Sequence, residues 1–285
     1  MGSHGKWLFR FLLIAMITGV TKADIVETKL KPTEEMHRAD IYLWKPGKTD
    51  VRAVLLYCPG NNANGKKFAE RLDWQKFAKQ QGLAICAISF ASHTNKYTDQ
   101  RKGYSYAERG SGDLIFDFID QSFPQQNLPV FVYGYSLGAR LTASIVGWKP
   151  DRVAGFCASG VGRWPQLPTA ELKVPSGIIA CGEYDAVCYW SSLNYFQRGR
   201  KQGREWTWIS LKDLGHRSSK VLDRCFQSWI QQYFSRPLER DRSVFYDLDT
   251  KLPLDSQKVE AFPEFAVYLP NGSNFQNLWL KHHHP

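Results

Sequence analysis

Apolar positions along this chain follow two alternating patterns. Short continuous apolar runs cover 51–57, 83–90, 128–133, 153–158, 175–181 and 206–211. Such runs read as strands buried on both faces. Between them, 66–81, 112–123, 139–148, 189–202 and 218–234 read as helices, with apolar residues three and four apart in the clearest of them. Phe68, Leu72, Phe77 and Ala78 share one side of the first, and Gly82 stops it. The last turns Val221, Leu222, Cys225, Phe226, Trp229 and Ile230 inward. A further short strand is expected at 41–44, closed by Pro46-Gly47, after a mixed polar stretch from 25 to 40. Alternating strands and helices argue for an α/β fold, with a mostly parallel central sheet covered by helices on both faces.

Three stretches interrupt the rhythm. Residues 91–110 are polar, with Tyr97, Tyr104 and Tyr106 among Lys96, Arg101, Lys102 and Arg109. A loop of that length inside a compact domain is usually functional or mobile. Residues 159–174 form a second loop, with Trp164, Pro165 and Pro168, which leaves room for a small cap or none. Beyond Ser235 the alternation stops, and Pro237, Pro253, Pro263 and Pro270 divide short apolar pieces such as 265–269. Its aromatics predict that this part packs onto the rest. The expected organisation is a main domain over 24–235 and a C-terminal extension over 236–285.

The first 23 residues stand apart from both. Lys6 and Arg10 precede an apolar stretch from Phe11 to Val20, and Thr21-Lys22-Ala23 places small residues at −3 and −1 before Asp24. This predicts a cleaved signal peptide and a secreted or periplasmic protein, because the apolar stretch is short for a bilayer. An uncleaved membrane anchor is the rival reading. The chain has 285 residues and a formal net charge of +10, without a long block of Lys and Arg. The clusters 198–201 and 236–242 are short, so no nucleic-acid partner is expected. The six cysteines, at 58, 86, 157, 181, 188 and 225, match no zinc-ligand spacing. An exported protein permits a disulfide among Cys181, Cys188 and Cys225, and spacing does not choose the pair. His282, His283 and His284 lie too near a free end to fix a metal geometry, so no metal site and no cofactor is expected.

The chemistry concentrates at Gly134-Tyr135-Ser136-Leu137-Gly138, between a predicted strand and a predicted helix. A strand that turns sharply into a helix crowds any Cβ nearby, which is why small residues flank the serine. A serine hydroxyl is a weak nucleophile until a base takes its proton and a third group orients that base. Asp185 follows the strand that ends near Cys181, and His216 follows the strand that ends near Leu211. Both therefore fall at strand carboxyl ends, as Ser136 does. Glu183 is the nearest competitor for the acid, and a helix N-cap is the ordinary reading of Asp185. Asp151 and Asp213, and among histidines His37 and His93, fit less well by position. Oxyanion donors are expected from the Leu137 N–H and from the Pro59-Gly60-Asn61-Asn62 loop, with Asn61 first and Asn62 second.

Over about 40–235 the chain resembles an α/β-hydrolase fold serine hydrolase. The resemblance is carried by the Pro59–Asn62 loop, the elbow at Ser136, Asp185 and His216, in that chain order. Within that superfamily it is similar to secreted esterases of the dienelactone-hydrolase and polyhydroxybutyrate-depolymerase type. It departs from the lipase pattern by Pro-Gly-Asn-Asn in place of a His-Gly-Gly run, and no cysteine stands at the elbow. The resemblance implies acyl-enzyme cleavage of carboxylic esters without a cofactor, on a small-molecule or polymeric ester. A peptidase or amidase of the same fold would use the same residues. A non-catalytic binding protein on this scaffold predicts a broken triad.

Overall fold

The computed structural model describes residues 24–47, 49–93, 103–124, 126–235, 243–270 and 274–285. The expected signal segment, the 94–102 part of the tyrosine-rich loop and the 236–242 basic cluster lie outside these residues.

An eight-stranded sheet runs through the molecule. In chain order its strands are β1 (Ile25–Lys29), β2 (Met36–Trp44), β3 (Ala53–Cys58), β4 (Leu83–Ser92), β5 (Val130–Tyr135), β6 (Val153–Ser159), β7 (Gly177–Gly182) and β8 (Trp206–Leu211). Their order in space is β1-β2-β4-β3-β5-β6-β7-β8. From β4 through β8 every neighbouring pair is parallel, and β1 and β2 join antiparallel at one edge. The mostly parallel α/β architecture expected from the apolar rhythm is therefore present. All six residues of β7 and of β8, and all ten of β4, are buried, as continuous apolar runs require.

Chain order reverses at one place in this sheet. After β3 the chain moves outward to β4, then returns to lay β5 on the opposite side of β3. The carboxyl ends of β3 and β5 thus diverge at a switch point, where open α/β sheets form crevices. The Pro59–Asn62 loop leaves β3 there, and Ser136 follows β5.

The helices are α1 (Lys66–Ala69), α2 (Leu72–Gln81), α3 (Ser111–Ser122), α4 (Leu137–Trp148), α5 (Ala186–Lys201) and α6 (Lys220–Ser235). The helix expected over 66–81 is two helices. Arg71 breaks it with extended backbone (φ −68°, ψ 112°). Its guanidinium reaches Asp73 at 2.6 Å and the largely buried Asp223 at 2.7 Å. The break turns Leu72 out to solvent at 74% exposure, away from the apolar side it was expected to share. Gly82 ends α2 in the left-handed conformation at φ 63°, as its position predicts. The mixed stretch 25–40 is also more ordered than its polarity suggests. It forms β1 and the first half of β2, with Glu27 and Lys29 on the outermost strand, the charged kind of edge that discourages further pairing.

Past α6 the chain builds β9 (Ser243–Asp247), β10 (Pro253–Leu254), α7 (Ser256–Ala261), β11 (Ala266–Pro270) and α8 (Asn274–His282). The three strands form their own antiparallel sheet. This segment covers the β8 edge of the main sheet. Trp279 and Phe275 are fully buried, and the Trp279 Nε1–H donates to Trp208 O at 2.7 Å. Thr207 Oγ1 donates to Tyr268 O at 2.6 Å, and His283 bridges to Leu211.

Candidate active site

The elbow is built from backbone contacts that exclude larger residues. Ser136 has φ 54° and ψ −123°, a conformation that few non-glycine residues adopt. A Cβ at Gly134 would lie 2.2 Å from Thr142 Oγ1, and one at Gly138 would lie 2.0 Å from Cys58 O. Gly138 therefore lets the start of α4 sit directly against the end of β3. The Ser136 N–H donates to Ser159 O at 2.8 Å, which ties the strained turn to β6.

Three distant segments meet at the serine. His216 Nε2 lies 2.9 Å from Ser136 Oγ, and His216 Nδ1 lies 2.6 Å from Asp185 Oδ2. The Asp185 side chain is 6% exposed and the His216 side chain 44%. The acid is thus sealed beneath, and the imidazole stands at the surface. Asp185 does occupy the N-cap position of α5, yet its side chain makes no capping bond. Its carboxylate is turned to His216 instead. The rival acids are engaged elsewhere. Glu183 accepts from the Asp213 N–H at 3.1 Å and faces His284 Nδ1 at 3.3 Å, and Asp213 accepts from Tyr184 Oη at 3.1 Å. His37 and His93 pair with each other, with ring centroids 5.4 Å apart.

The candidate donor loop lies against the elbow. A Cβ at Gly60 would be 3.5 Å from Ser136 Cβ, so that backbone passes close to the serine. The Leu137 N–H opens α4 and has no acceptor within the helix. Asn62 is tied into the scaffold. Its N–H donates to Tyr104 Oη at 3.3 Å, its carbonyl accepts from Arg38 at 2.6 Å, and its Oδ1 accepts from the Ser92 N–H at 3.3 Å.

Several contacts of Ser136, His216 and Asp185 are not among those the sequence predicts. Tyr135, the residue before the serine, places its ring 5.2 Å from the imidazole. Burial, and then the charge of Asp185, push its phenol up to about 12. Gly160, with φ 70°, packs beside His216 Cε1. The Cys181 thiol donates to Asp185 Oδ2 at 3.8 Å, and Cys188 Sγ lies 3.6 Å from His216 Nδ1. The signal for these contacts was adjacency to motif residues, which periodicity does not reveal. All six cysteines are free thiols, so the disulfide permitted among Cys181, Cys188 and Cys225 is not formed. Asp185, Cys188 and His216 do offer three possible metal donors within 4.8 Å. However, burial and Asp185 push the Cys188 thiol up to about 12. A metal there would also have to displace the Asp185–His216 hydrogen bond.

Two hollows lie near the elbow, one reaching Tyr135 and the other Arg140, and neither is lined by Ser136 or His216 itself. A small one of about 210 Å³ is lined by Tyr57, Tyr133, Tyr135, Phe68 and Asp223 among others. A larger one of about 1030 Å³ lies between α4 and the segment after β6.

No family model and no curated protein sequence matches this chain. Its similarity is to solved structures. The Staphylococcus aureus fluorophosphonate-binding serine hydrolase F aligns with 74% of this chain and 98% of its own, at TM-score 0.53 and 12% identity. The S-formylglutathione hydrolase of Agrobacterium tumefaciens aligns with 74% of this chain and 94% of its own, at TM-score 0.55 and 13% identity. This chain has the α/β-hydrolase fold. The Porphyromonas gingivalis dipeptidyl peptidase 4 shares it over 75% of this chain but only 35% of its own length, at TM-score 0.54 and 12% identity. Within this α/β-hydrolase fold, Ser136 stands at the strand-to-helix elbow, and Asp185 and His216 stand after β7 and β8.

Proposed function

We propose that this protein is a serine hydrolase that cleaves carboxylic esters through an acyl-enzyme intermediate. The observation that carries the reading is the continuous Ser136–His216–Asp185 relay, at 2.9 and 2.6 Å. In this reading His216 Nε2 takes the proton of Ser136 Oγ as the oxygen attacks the ester carbonyl. Asp185 accepts from Nδ1–H, fixes the tautomer and stabilises the imidazolium. The N–H groups of Leu137 and Asn61 hold the oxyanion. His216 then gives its proton to the leaving alkoxide and activates water for deacylation. The strain held at Ser136 supports this role, because it lifts the hydroxyl clear of the helix it precedes.

The neighbours' names support hydrolysis of this kind, two of them being a serine hydrolase and an S-formylglutathione hydrolase. Dipeptidyl peptidase 4 keeps a peptidase as the second reading, but the alignment leaves most of that enzyme unmatched. The proposal extends to export of the mature chain from Asp24 after removal of 1–23. Among the described residues no helix is long and apolar enough to cross a membrane.

Hydrolysis of p-nitrophenyl acetate tests the reading. The wild type is expected to turn it over, and His216→Ala to lower kcat by at least about a thousandfold without unfolding. Near wild-type turnover by His216→Ala would remove His216 from the role of base.

A further inference from the structure

We propose that the larger hollow selects esters bearing an anionic group, seated on the guanidinium group of Arg163. This deepens the serine-hydrolase reading and rests on it.

The hollow reaches α4 at Arg140, one turn beyond the serine. The Arg140 N–H donates to Ser136 O at 3.2 Å, so Arg140 lies one helical turn, roughly 6 Å, along α4 from the serine. Arg163 comes from the other wall, three residues past Gly160, which packs beside His216 and Asp185. Trp148 and Trp164 add flat apolar surface to the same hollow. Its volume, about 1030 Å³, suits a small-molecule ligand.

Most charged groups around the hollow are engaged. Arg109 is matched by Glu35 at 3.5 Å, and Glu108 accepts from Ser144 Oγ at 3.0 Å. Arg163 is exposed and forms no ion pair among the described residues. Arg140 donates to the Tyr106 hydroxyl and lies 4.5 Å over that ring, a contact that orients the guanidinium. The two cations also feel each other: burial, and then the charge of Arg163, hold Arg140 below its usual range. An anion bound at Arg163 would also meet the positive charge of Arg140.

The wall that carries Arg163 is fixed in advance. Trp164 stacks on Tyr195 at 4.3 Å, and its Nε1–H donates to Ser192 Oγ at 3.3 Å. Arg204, largely buried, donates to Thr169 O at 2.5 Å and also to Leu172 O. A segment without regular secondary structure is thus held from behind, so an anion need not order it on binding. Carboxylate, phosphate and sulfate share the fork geometry that a guanidinium recognises. The anion can belong to the acyl or to the alcohol side of the ester.

Two matched pairs test the inference. Mono-p-nitrophenyl glutarate against p-nitrophenyl pentanoate places the charge on the acyl side. 4-Acetoxybenzoate against its methyl ester places it on the alcohol side. Each kcat/KM is divided by the rate with hydroxide alone. The wild type is expected to favour the anionic member of at least one pair about tenfold, ~1.4 kcal/mol. The responsive pair identifies the side, and the preference should shrink as salt is added. Arg163→Glu should reverse it, and Arg163→Lys should keep its direction at a reduced size. Cleavage of the esters without anionic preference, or an unchanged ratio in Arg163→Glu, overturns the inference and leaves the hydrolase reading standing. Cleavage of none of the four overturns both.

Discussion

The elbow between β5 and α4 and the C-terminal segment on β8 meet the same sheet in opposite ways. At the elbow, backbone packs on backbone, and Gly138 has no room for even a methyl group beside Cys58 O. Ser136 is held there in a costly conformation. On β8, large side chains fill the contact and their polar atoms are bonded, as the Trp279 Nε1–H is to Trp208 O. One region stores strain at Ser136, and the other supplies burial. They are linked, since the β8 strand that Trp279 covers leads into the loop that carries His216. The contrast predicts that damage at the elbow stops chemistry and that damage on β8 loosens the fold.

The largest expected effect is that of Ser136→Ala. Ester turnover should fall by at least about a thousandfold, while the urea midpoint stays level or rises as the side chain is trimmed. A large loss of stability would break the contrast. Trp279→Ala should act the other way. Removing a fully buried indole costs about 3–5 kcal/mol, read as a lower urea midpoint. Turnover per folded molecule should persist. A variant equally stable but inactive would show that the segment acts on chemistry directly.

His283 sharpens the comparison through pH. Its Nδ1 accepts from the Ser210 N–H at 3.1 Å and its Nε2–H donates to Leu248 O at 2.8 Å, so the buried ring is neutral. Burial pushes it down from 6.5 to about 4, against the hydrogen bond to Leu248, with Lys251 and His284 adding like charge. The unfolded chain therefore binds this proton first as pH falls. Its contribution is complete above about pH 6.5 and is lost toward pH 4, for a total of about 3 kcal/mol. Denaturant titrations across that window should show a steeper decline in wild type than in His283→Gln. Equal slopes would contradict the assignment. The smallest effect is expected at Asp255, whose side chain caps α7 by accepting from the Lys258 N–H at 2.8 Å. Asp255→Ala should cost about 1 kcal/mol by the same measurement, with turnover unaffected.

The same two regions differ in how legible they were. The elbow is a local pattern, and its strand, turn and helix lie within one short stretch of sequence, so apolar period and glycine spacing reveal it. Strands β3 to β8 were legible for the same reason. Asp185 was ambiguous because an N-cap and a partner of His216 occupy the same place at a helix start. Its missing capping bond and its 2.6 Å contact with His216 show only in three dimensions. The helix break at Arg71 was hidden because its cause, Asp223, is far along the chain. His283 looked like one of three histidines at a free end, whereas it is held by Ser210 and Leu248. The C-terminal strands pair within a small sheet of their own, and short proline-divided pieces carry little period. The arginine-lined hollow joins residues of α4 to residues of the loop after β6, which no spacing rule connects.

The central claim is that Ser136 is a nucleophile activated by His216. Labelling of the intact protein with a fluorophosphonate probe, followed by mass spectrometry of the modified peptide, tests it most directly. The account predicts one adduct, on Ser136, absent in Ser136→Ala and strongly slowed in His216→Ala. No adduct on the wild type, or an adduct that persists in Ser136→Ala, would contradict it.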